Sequence, residues 1–253
     1  MLSDLTSAYS AGQIAAVFAT YLFAGAAKGV TGLGFSTMCL PFLAVAVGLK
    51  EALPLVIIPS VAANILVMVQ AGKFSATVRR FWPMLLATVP GLLIGLWMLA
   101  RIDGRLAGAL LGVVLVLWSL FFLAKPGVAL APGPARRLAP LSGFLTGIVN
   151  GVTGSQVIPS LPYLMALKLD RAVFIQAMNC SFTLSSIIMA IGLQRLGIFT
   201  FAALVLSVMG VGVAFAGVAI GGRVRDRLSP DAFRIGVLIM LVAMGISLTL
   251  RAI

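Results

Sequence analysis

Lys28 is the residue of this sequence best placed to do chemistry, because it is a charged side chain inside an apolar segment. The chain has 18 Lys and Arg residues and 6 Asp and Glu residues, and the others lie at the ends of apolar segments or between them. A charge at the bilayer centre costs at least about 2.5–3.5 kcal/mol, so an intramembrane lysine is a candidate for binding an ion or substrate. Near a membrane surface, its long side chain could instead reach the interface.

Lys28 lies in a glycine-rich motif that occurs twice. Segment 22–32, LFAGAAKGVTG, matches segment 144–154, FLTGIVNGVTG, and both contain Gly-x-x-x-Gly followed by Val-Thr-Gly. Matching motifs at a fixed separation indicate an internal repeat. The sequence therefore predicts a single membrane domain of two homologous halves, about 1–125 and about 138–253, joined by a Pro- and Gly-rich linker at about 125–138.

The elements that position these motifs are predicted from hydropathy. The chain is 61% hydrophobic and 9% charged, and its mean hydropathy is +1.16. About 20 apolar residues in a helix span the hydrocarbon layer, and long runs of this kind indicate membrane helices. Segment 5–27 is expected to be a retained membrane segment, since no positively charged leader precedes it. The other apolar runs are 52–72, 81–100, 106–124, 172–194, 196–222 and 235–250. The predicted fold is an all-α, polytopic integral membrane bundle.

Several glycines are expected to serve helix packing. Gly-x-x-x-Gly lets membrane helices approach closely, and Gly91/Gly95 and Gly108/Gly112 follow this spacing. Packing alone does not explain the two Val-Thr-Gly motifs, because each interrupts an apolar stretch that is too long for one crossing. Segments 138–150 and 155–167 have 13 residues each, or about 20 Å of helix. Each half is therefore predicted to contain one broken helix and three transmembrane helices.

The distribution of Lys and Arg favours broken helices that turn back. If both broken segments cross the membrane, the basic residues divide 8 to 9 between the two sides. If both are re-entrant hairpins, the division is 12 to 5, which is the asymmetry typical of cytoplasmic loops. The hairpin model predicts inverted repeats, although segment 5–27 is long enough to cross fully. Broken helices at corresponding positions of two halves indicate a transporter binding site.

We expect the two breaks to bind a small anion near the midplane. Half-helices starting at about 33–37 and 155–160 would present free amides and a positive dipole end. A second polar cluster lies on the following helix of each half. Ser and Thr hydroxyls could bond their own helix instead, and the second cluster could serve helix–helix hydrogen bonds. The predicted substrate-binding residues are Lys28, Thr31, Gly32, Ser36, Asn150, Thr153, Gly154, Ser155 and Gln156 at the breaks, with Asn64, Gln176 and Asn179 in the second cluster.

Composition argues against other functions. The chain has no histidine, its acidic residues lie at helix ends or in loops, and Cys39 and Cys180 lie in apolar segments. We therefore expect no catalytic residue, no cofactor and no metal site. The formal net charge of +12 comes from basic residues that flank apolar runs, so no nucleic-acid partner is expected. A non-transporting scaffold would not need two matched broken helices.

The two halves, each opening with Gly-x-x-x-Gly-Val-Thr-Gly and a downstream proline, resemble the sulfite exporter TauE/SafE family over residues 11–250. The resemblance implies a permease of the bacterial inner membrane that moves sulfite, organosulfonates or related small anions, and we expect export. A carrier of another organic anion, such as a carboxylate, is the alternative. The expected partners are the anion and the lipid bilayer; the coupling ion and homo-oligomerisation stay open.

Overall fold

The computed structural model describes residues 8–31, 34–124, 127, 129–224 and 230–251. These residues form ten helices and no strand. The first five are α1 (Ala11–Thr31), α2 (Phe35–Val47), α3 (Leu49–Ala71), α4 (Phe74–Arg101) and α5 (Gly104–Ala124). The second five are α6 (Pro132–Thr153), α7 (Ser160–Ala166), α8 (Arg171–Arg195), α9 (Phe201–Val224) and α10 (Pro230–Leu250).

The predicted polytopic membrane fold is confirmed. Among the described helices, α1, α3, α4, α5, α8 and α9 are long and apolar enough to cross a membrane. Helix α10 contains a shorter apolar segment, Ile235–Leu250. Large apolar side chains also cover the outside of the bundle, as at Leu86, Trp97 and Val208. Such a surface is stable in lipid rather than in water.

Helices α1 and α2 form a hairpin whose end returns to its start. The side-chain amide of Gln13 donates to the carbonyl of Ala46 at 3.4 Å, which joins the first turn of α1 to the last turn of α2. Further along, the rings of Phe23 and Phe42 lie 5.4 Å apart between centroids. Helix α2 therefore runs back along α1.

Helices α6 and α7 form the corresponding hairpin in the second half of the chain. The Leu130 amide, just before α6, donates to the carbonyl of Ala166 at the end of α7 at 2.9 Å. The Tyr163 hydroxyl donates to the Ala135 carbonyl at 3.0 Å. The chain therefore comes back to the end of the bundle from which α6 began.

The second hairpin differs in length from the prediction. Helix α6 begins at Pro132, within the predicted linker, and has 22 residues instead of 13. Helix α7 has only 7 residues, so the expected helix over 155–167 is wrong. Gly154 ends α6 in the left-handed conformation with φ +74°, as glycine often does at helix ends. Pro159 then removes an amide and disfavours helix at the residue before it, which delays the restart.

Each hairpin packs on a helix from the other half of the chain. Helix α4 packs on α6 and α9 packs on α1, while α3 packs on α8 and α5 on α10. Glycines bring the backbones of the first two pairs into contact. A Cβ atom at Gly91 would overlap the carbonyl of Phe144, and one at Gly217 would overlap the carbonyl of Leu22. If α1–α5 are matched in order with α6–α10, exchanging each helix for its match gives the same four packed pairs.

Packing explains Gly112 but not Gly108. A Cβ atom at Gly112 would overlap the carbonyl of Gly245 on α10. At Gly108 no heavy atom lies within 4 Å of the ideal Cβ position, so the packing interpretation of this glycine is wrong. Gly108 instead lines a cavity at one end of the bundle, together with Leu49 and Asp103.

The loops gather at two ends of the bundle. At the first, which we call the Lys50 end, the Lys50 ammonium donates to Ile102 O at 2.9 Å and the Arg251 guanidinium to Val45 O at 2.9 Å. Tyr9 also lies there, where burial and the nearby Glu51 carboxylate raise its pKa. At the other, which we call the Arg80 end, one cleft is lined by Arg79, Arg80, Arg136 and Leu167.

We predict that the Lys50 end and the Arg80 end lie on opposite sides of the membrane. Glu51→Cys and Lys168→Cys, placed singly in a Cys39→Ala/Cys180→Ala background, test this because both positions are exposed. In intact cells, a membrane-impermeant maleimide should label Glu51→Cys and leave Lys168→Cys unlabelled until the cells are lysed. Labelling of both variants before lysis would contradict the hairpin topology.

Gly91→Ala should lower the free energy of unfolding by about 1–3 kcal/mol, because the added methyl group pushes α4 away from α6. Gly108→Ala is the matched control and should change it by less than about 0.5 kcal/mol, since its methyl group meets open space. Thermal unfolding in detergent measures both. Equal midpoints for the two variants would mean that close contact at Gly91 is not needed.

Candidate substrate site between the two hairpins

Lys28 is buried among neutral hydrogen-bond acceptors. It lies one turn before the end of α1 and is 2% exposed. Its ammonium donates to Asn64 Oδ1 of α3 at 2.7 Å and to Asn179 Oδ1 of α8 at 3.3 Å. The structure thus joins two predicted groups, the break and the second polar cluster. The two amide oxygens orient the amino group but carry no charge that would compensate an ammonium.

A small cavity lies between the two breaks. Its volume is about 20 Å³, which is room for one water molecule. Polar groups reach it from α2, from α3, from the second break and from α8. The lining residues are Ser36, Leu40, Leu53, Val56, Ile57, Ser60, Asn150, Gly154, Gln156, Ser186 and Met189. The cavity is too small for an anion of several heavy atoms.

Helix α3 connects the cavity to the hydrogen-bond partners of Lys28. Ser60 lines the cavity, and Asn64 is one helical turn further along the same face. The hydroxyls of Ser36 and Ser60 lie 3.1 Å apart, which ties the start of α2 to α3. The Lys28 ammonium is therefore beside the cavity and not among its lining residues.

Asn150 is the most informative residue of the cavity. Its side chain is fully buried, and neither amide atom has a hydrogen-bond partner among the described residues. An unsatisfied buried polar group costs about 1–3 kcal/mol, so such groups need an explanation, for example a water or a ligand. Gln156 Oε1 and Asn64 Nδ2 are also unpaired, while Gln156 Nε2 donates to Ser186 Oγ at 3.1 Å. Hydrogen-bonding capacity is therefore concentrated around this small volume.

The two threonines of the breaks bond their own helices. Thr31 Oγ1 donates to Ala27 O at 2.8 Å, and Thr153 Oγ1 donates to Val149 O at 2.7 Å. Thr153 Oγ1 also accepts the amide of Ser155 at 3.2 Å. These hydroxyls stabilise the ends of α1 and α6. Ser155 is buried in the break with an unpaired Oγ.

Free amides were expected at about 155–160, but those in the first turn of α7 are engaged. The Ser160 amide donates to Thr146 Oγ1 at 2.9 Å, and the Leu161 amide donates to Val157 O at 2.9 Å. Pro159 and Pro162 have no amide hydrogen. The first turn of α7 therefore has no donor left for an anion. In the first half, α2 begins at Phe35, and it is Ser36 that reaches the cavity.

The remaining predicted residues lie apart from the cavity. Gln176 is near the Arg80 end, where its Oε1 accepts the Lys73 amide at 3.5 Å and its Nε2 contacts Cys180 Sγ at 3.6 Å. Gly32 lies outside the described residues. Sequence reasoning missed Ser186, although a hydroxyl that interrupts an apolar membrane helix was a signal that could have found it.

The fold defines a multi-pass helical membrane protein, and its interior contains a cluster of buried polar side chains. The model of the family described as sulfite exporter TauE/SafE matches residues 17–248, and the chain belongs to that family. No curated protein and no solved structure matches the chain. Membership implies a membrane transporter of sulfite or a related anion.

Asn150→Leu should separate a ligand-binding role from a structural one. Replacing an unsatisfied buried amide by an apolar side chain of similar size should leave the thermal midpoint unchanged or raise it. Transport should nevertheless fall by roughly 5–12-fold, because an uncharged hydrogen-bond donor worth roughly 1–1.5 kcal/mol is lost.

Asn179→Leu is the contrasting variant. Both amide atoms of Asn179 are bonded, one to Lys28 and one to Ile175 O, so this variant should lower the midpoint. Full transport activity in Asn150→Leu would remove Asn150 from the site.

Proposed function

We propose that this chain is a secondary transporter that exports a small sulfur-containing oxyanion, sulfite or an organosulfonate. The observation that carries the proposal is the buried amino group of Lys28, whose hydrogen-bond partners among the described residues are two amide oxygens, beside a cavity with unpaired polar groups. A buried charge is normally compensated. An anion that enters beside Lys28 supplies this compensation, and the amides of Asn64 and Asn150 donate to its oxygen atoms.

The proposed binding site uses both hairpins. The first provides Lys28 and Ser36, and the second provides Asn150, Gly154, Ser155 and Gln156. Thr31 and Thr153 shape the breaks through their bonds to their own helices. Asn64 and Asn179 hold the ammonium in place. Gln176 lies outside the proposed site because its amide is engaged near Lys73.

Inverted repeats give this site a route for alternating access. We infer that the α1–α2 hairpin enters from the Lys50 end and the α6–α7 hairpin from the Arg80 end, so that the breaks meet in the middle. A cavity of about 20 Å³ must widen before an oxyanion fits. Rocking of one hairpin against α3 and α8 opens it to one side at a time, as in other inverted-repeat transporters.

The positive-inside rule assigns the Arg80 end to the cytoplasm, and export then runs from this end to the Lys50 end. Coupling by a buried carboxylate is not part of the proposal. The described side chains that carry a carboxylate, Glu51, Asp103 and Asp170, all lie at the ends of helices. A proton can instead travel on the substrate itself, because sulfite is a weak base.

Flux into proteoliposomes tests the proposal directly. Lys28→Gln keeps a hydrogen-bonding side chain but removes the charge, and it should lower sulfite or short-chain sulfonate flux by roughly 10–100-fold, since a charged hydrogen bond is worth about 1.5–3 kcal/mol. Lys168→Gln removes an exposed charge and is the control. Unchanged flux in Lys28→Gln would show that the ammonium does not hold the substrate.

Anion-dependent thermal stabilisation in detergent separates the two substrate classes. A ligand at about 100 times its Kd stabilises the folded state by about 2.7 kcal/mol, which shifts the midpoint measurably. Sulfite or methanesulfonate should produce this shift in the wild-type chain and not in Lys28→Gln. A shift with acetate or propionate alone would favour the carboxylate carrier.

A further inference from the structure

A basic cleft opens at the Arg80 end, away from the site between the hairpins. It has a volume of about 690 Å³ and lies between the first turns of α4, the first turns of α6 and the end of α7. Arg79, Arg80 and Arg136 line it together with Trp82 and Tyr163, and none of its described lining residues is acidic. Guanidinium groups bind phosphate in a planar, two-point geometry. The cleft therefore suits a phosphate group.

The cleft lies at the level of lipid headgroups. Helix α4 has 28 residues, whereas about 20 span the hydrocarbon layer. Its first two turns, which carry Arg79 and Arg80, therefore extend into the interfacial region. Trp82 follows at once and is 57% exposed, as is typical of aromatic residues at the boundary between headgroups and acyl chains.

An apolar groove continues from this cleft toward the membrane interior. The groove has a volume of about 290 Å³, and it shares Leu130 and Tyr163 with the basic cleft. Its outer wall is the lipid-facing side of α6, where Leu138, Leu141 and Leu145 are each more than a third exposed. A basic cleft and an apolar groove that share a wall match the two parts of a phospholipid.

One buried hydroxyl in the groove has no partner. Ser142 is 6% exposed, lines the groove, and its Oγ makes no hydrogen bond with the described residues. Such a hydroxyl can donate to an ester carbonyl, which in a phospholipid lies between the phosphate and the acyl chain. A ligand with an acceptor at this depth would give the Ser142 hydroxyl a partner.

We propose that the basic cleft and the apolar groove together bind one anionic phospholipid. Its phosphodiester lies among Arg79, Arg80 and Arg136, one acyl chain lies in the groove against Leu141 and Leu145, and an ester carbonyl accepts the Ser142 hydroxyl. The lipid covers the outside of the α6–α7 hairpin beside the bond between Tyr163 and Ala135. The proposal does not depend on the substrate that the protein carries.

Native mass spectrometry of the full chain, with competing phosphatidylglycerol and phosphatidylcholine, tests the proposal. The wild-type chain should retain phosphatidylglycerol preferentially. Arg79→Gln/Arg136→Gln should weaken this binding by roughly 30-fold, because each basic residue near an anionic surface contributes about a fivefold step. Arg105→Gln/Arg195→Gln removes the same charge at the exposed Lys50 end and should leave the preference unchanged.

A second set of measurements distinguishes a lipid from a soluble anion. Leu145→Trp fills the groove without altering a charge, and it should also reduce phosphatidylglycerol binding. Glycerol 3-phosphate, which has the phosphate but no acyl chain, should stabilise the protein far less than the lipid does. Equal stabilisation by glycerol 3-phosphate, equal retention of both lipids, or loss of sulfite-induced stabilisation in Arg79→Gln/Arg136→Gln would each overturn the proposal.

Discussion

The structure depends on the requirement that backbone polar groups in a membrane find partners within the protein. A helix can break at membrane depth only where the break is enclosed by other helices, because lipid provides no hydrogen bonds. In this chain each broken hairpin is enclosed by a helix from the other half, and the glycines of α4 and α9 allow the backbones to touch. Within the second break, Thr153 and Thr146 bind the exposed amides of Ser155 and Ser160.

The same requirement concentrates polarity at the centre of the bundle. The threonine hydroxyls bind two amides of the second break, and buried side chains beside it add further hydrogen-bonding groups. Those side chains differ between the two matching motifs, since Asn150 holds in segment 144–154 the position that Lys28 holds in segment 22–32. The two motifs therefore carry one lysine between them. A single charge beside an amide suits a small anion better than two charges would, because a substrate must also be released.

Much of the fold could be predicted from the sequence because its determinants are local. The six long apolar helices follow hydropathy, and the return of α7 toward the start of α6 agrees with the distribution of Lys and Arg. The length of α7 was not predicted, although Pro159 and Pro162 are visible signals for a late start. The two cysteines were predicted to lie in apolar surroundings, and both are buried.

The candidate site was predicted only in part, because side-chain partners depend on how three or more helices meet. Lys28, Asn64 and Asn179 were each expected to be functional, but the sequence does not show that one ammonium joins them. The Ser160 amide, where α7 begins, is not free as expected, because Thr146 on the preceding helix accepts it. That contact joins residues 14 positions apart across a turn whose shape hydropathy does not encode.

The exchange of helices between the halves has a consequence for how the protein is made. The partner of α1 is α9, which begins 190 residues later in the chain at Phe201. At about 5–20 residues per second, a ribosome takes roughly 10–40 s to synthesise that interval. During this time the first hairpin has been translated, yet the surface that must shield Gly25 and Gly29 does not exist. Insertion into the bilayer and final assembly are therefore separate events. Between them, the glycine face of α1 must be covered by something other than α9.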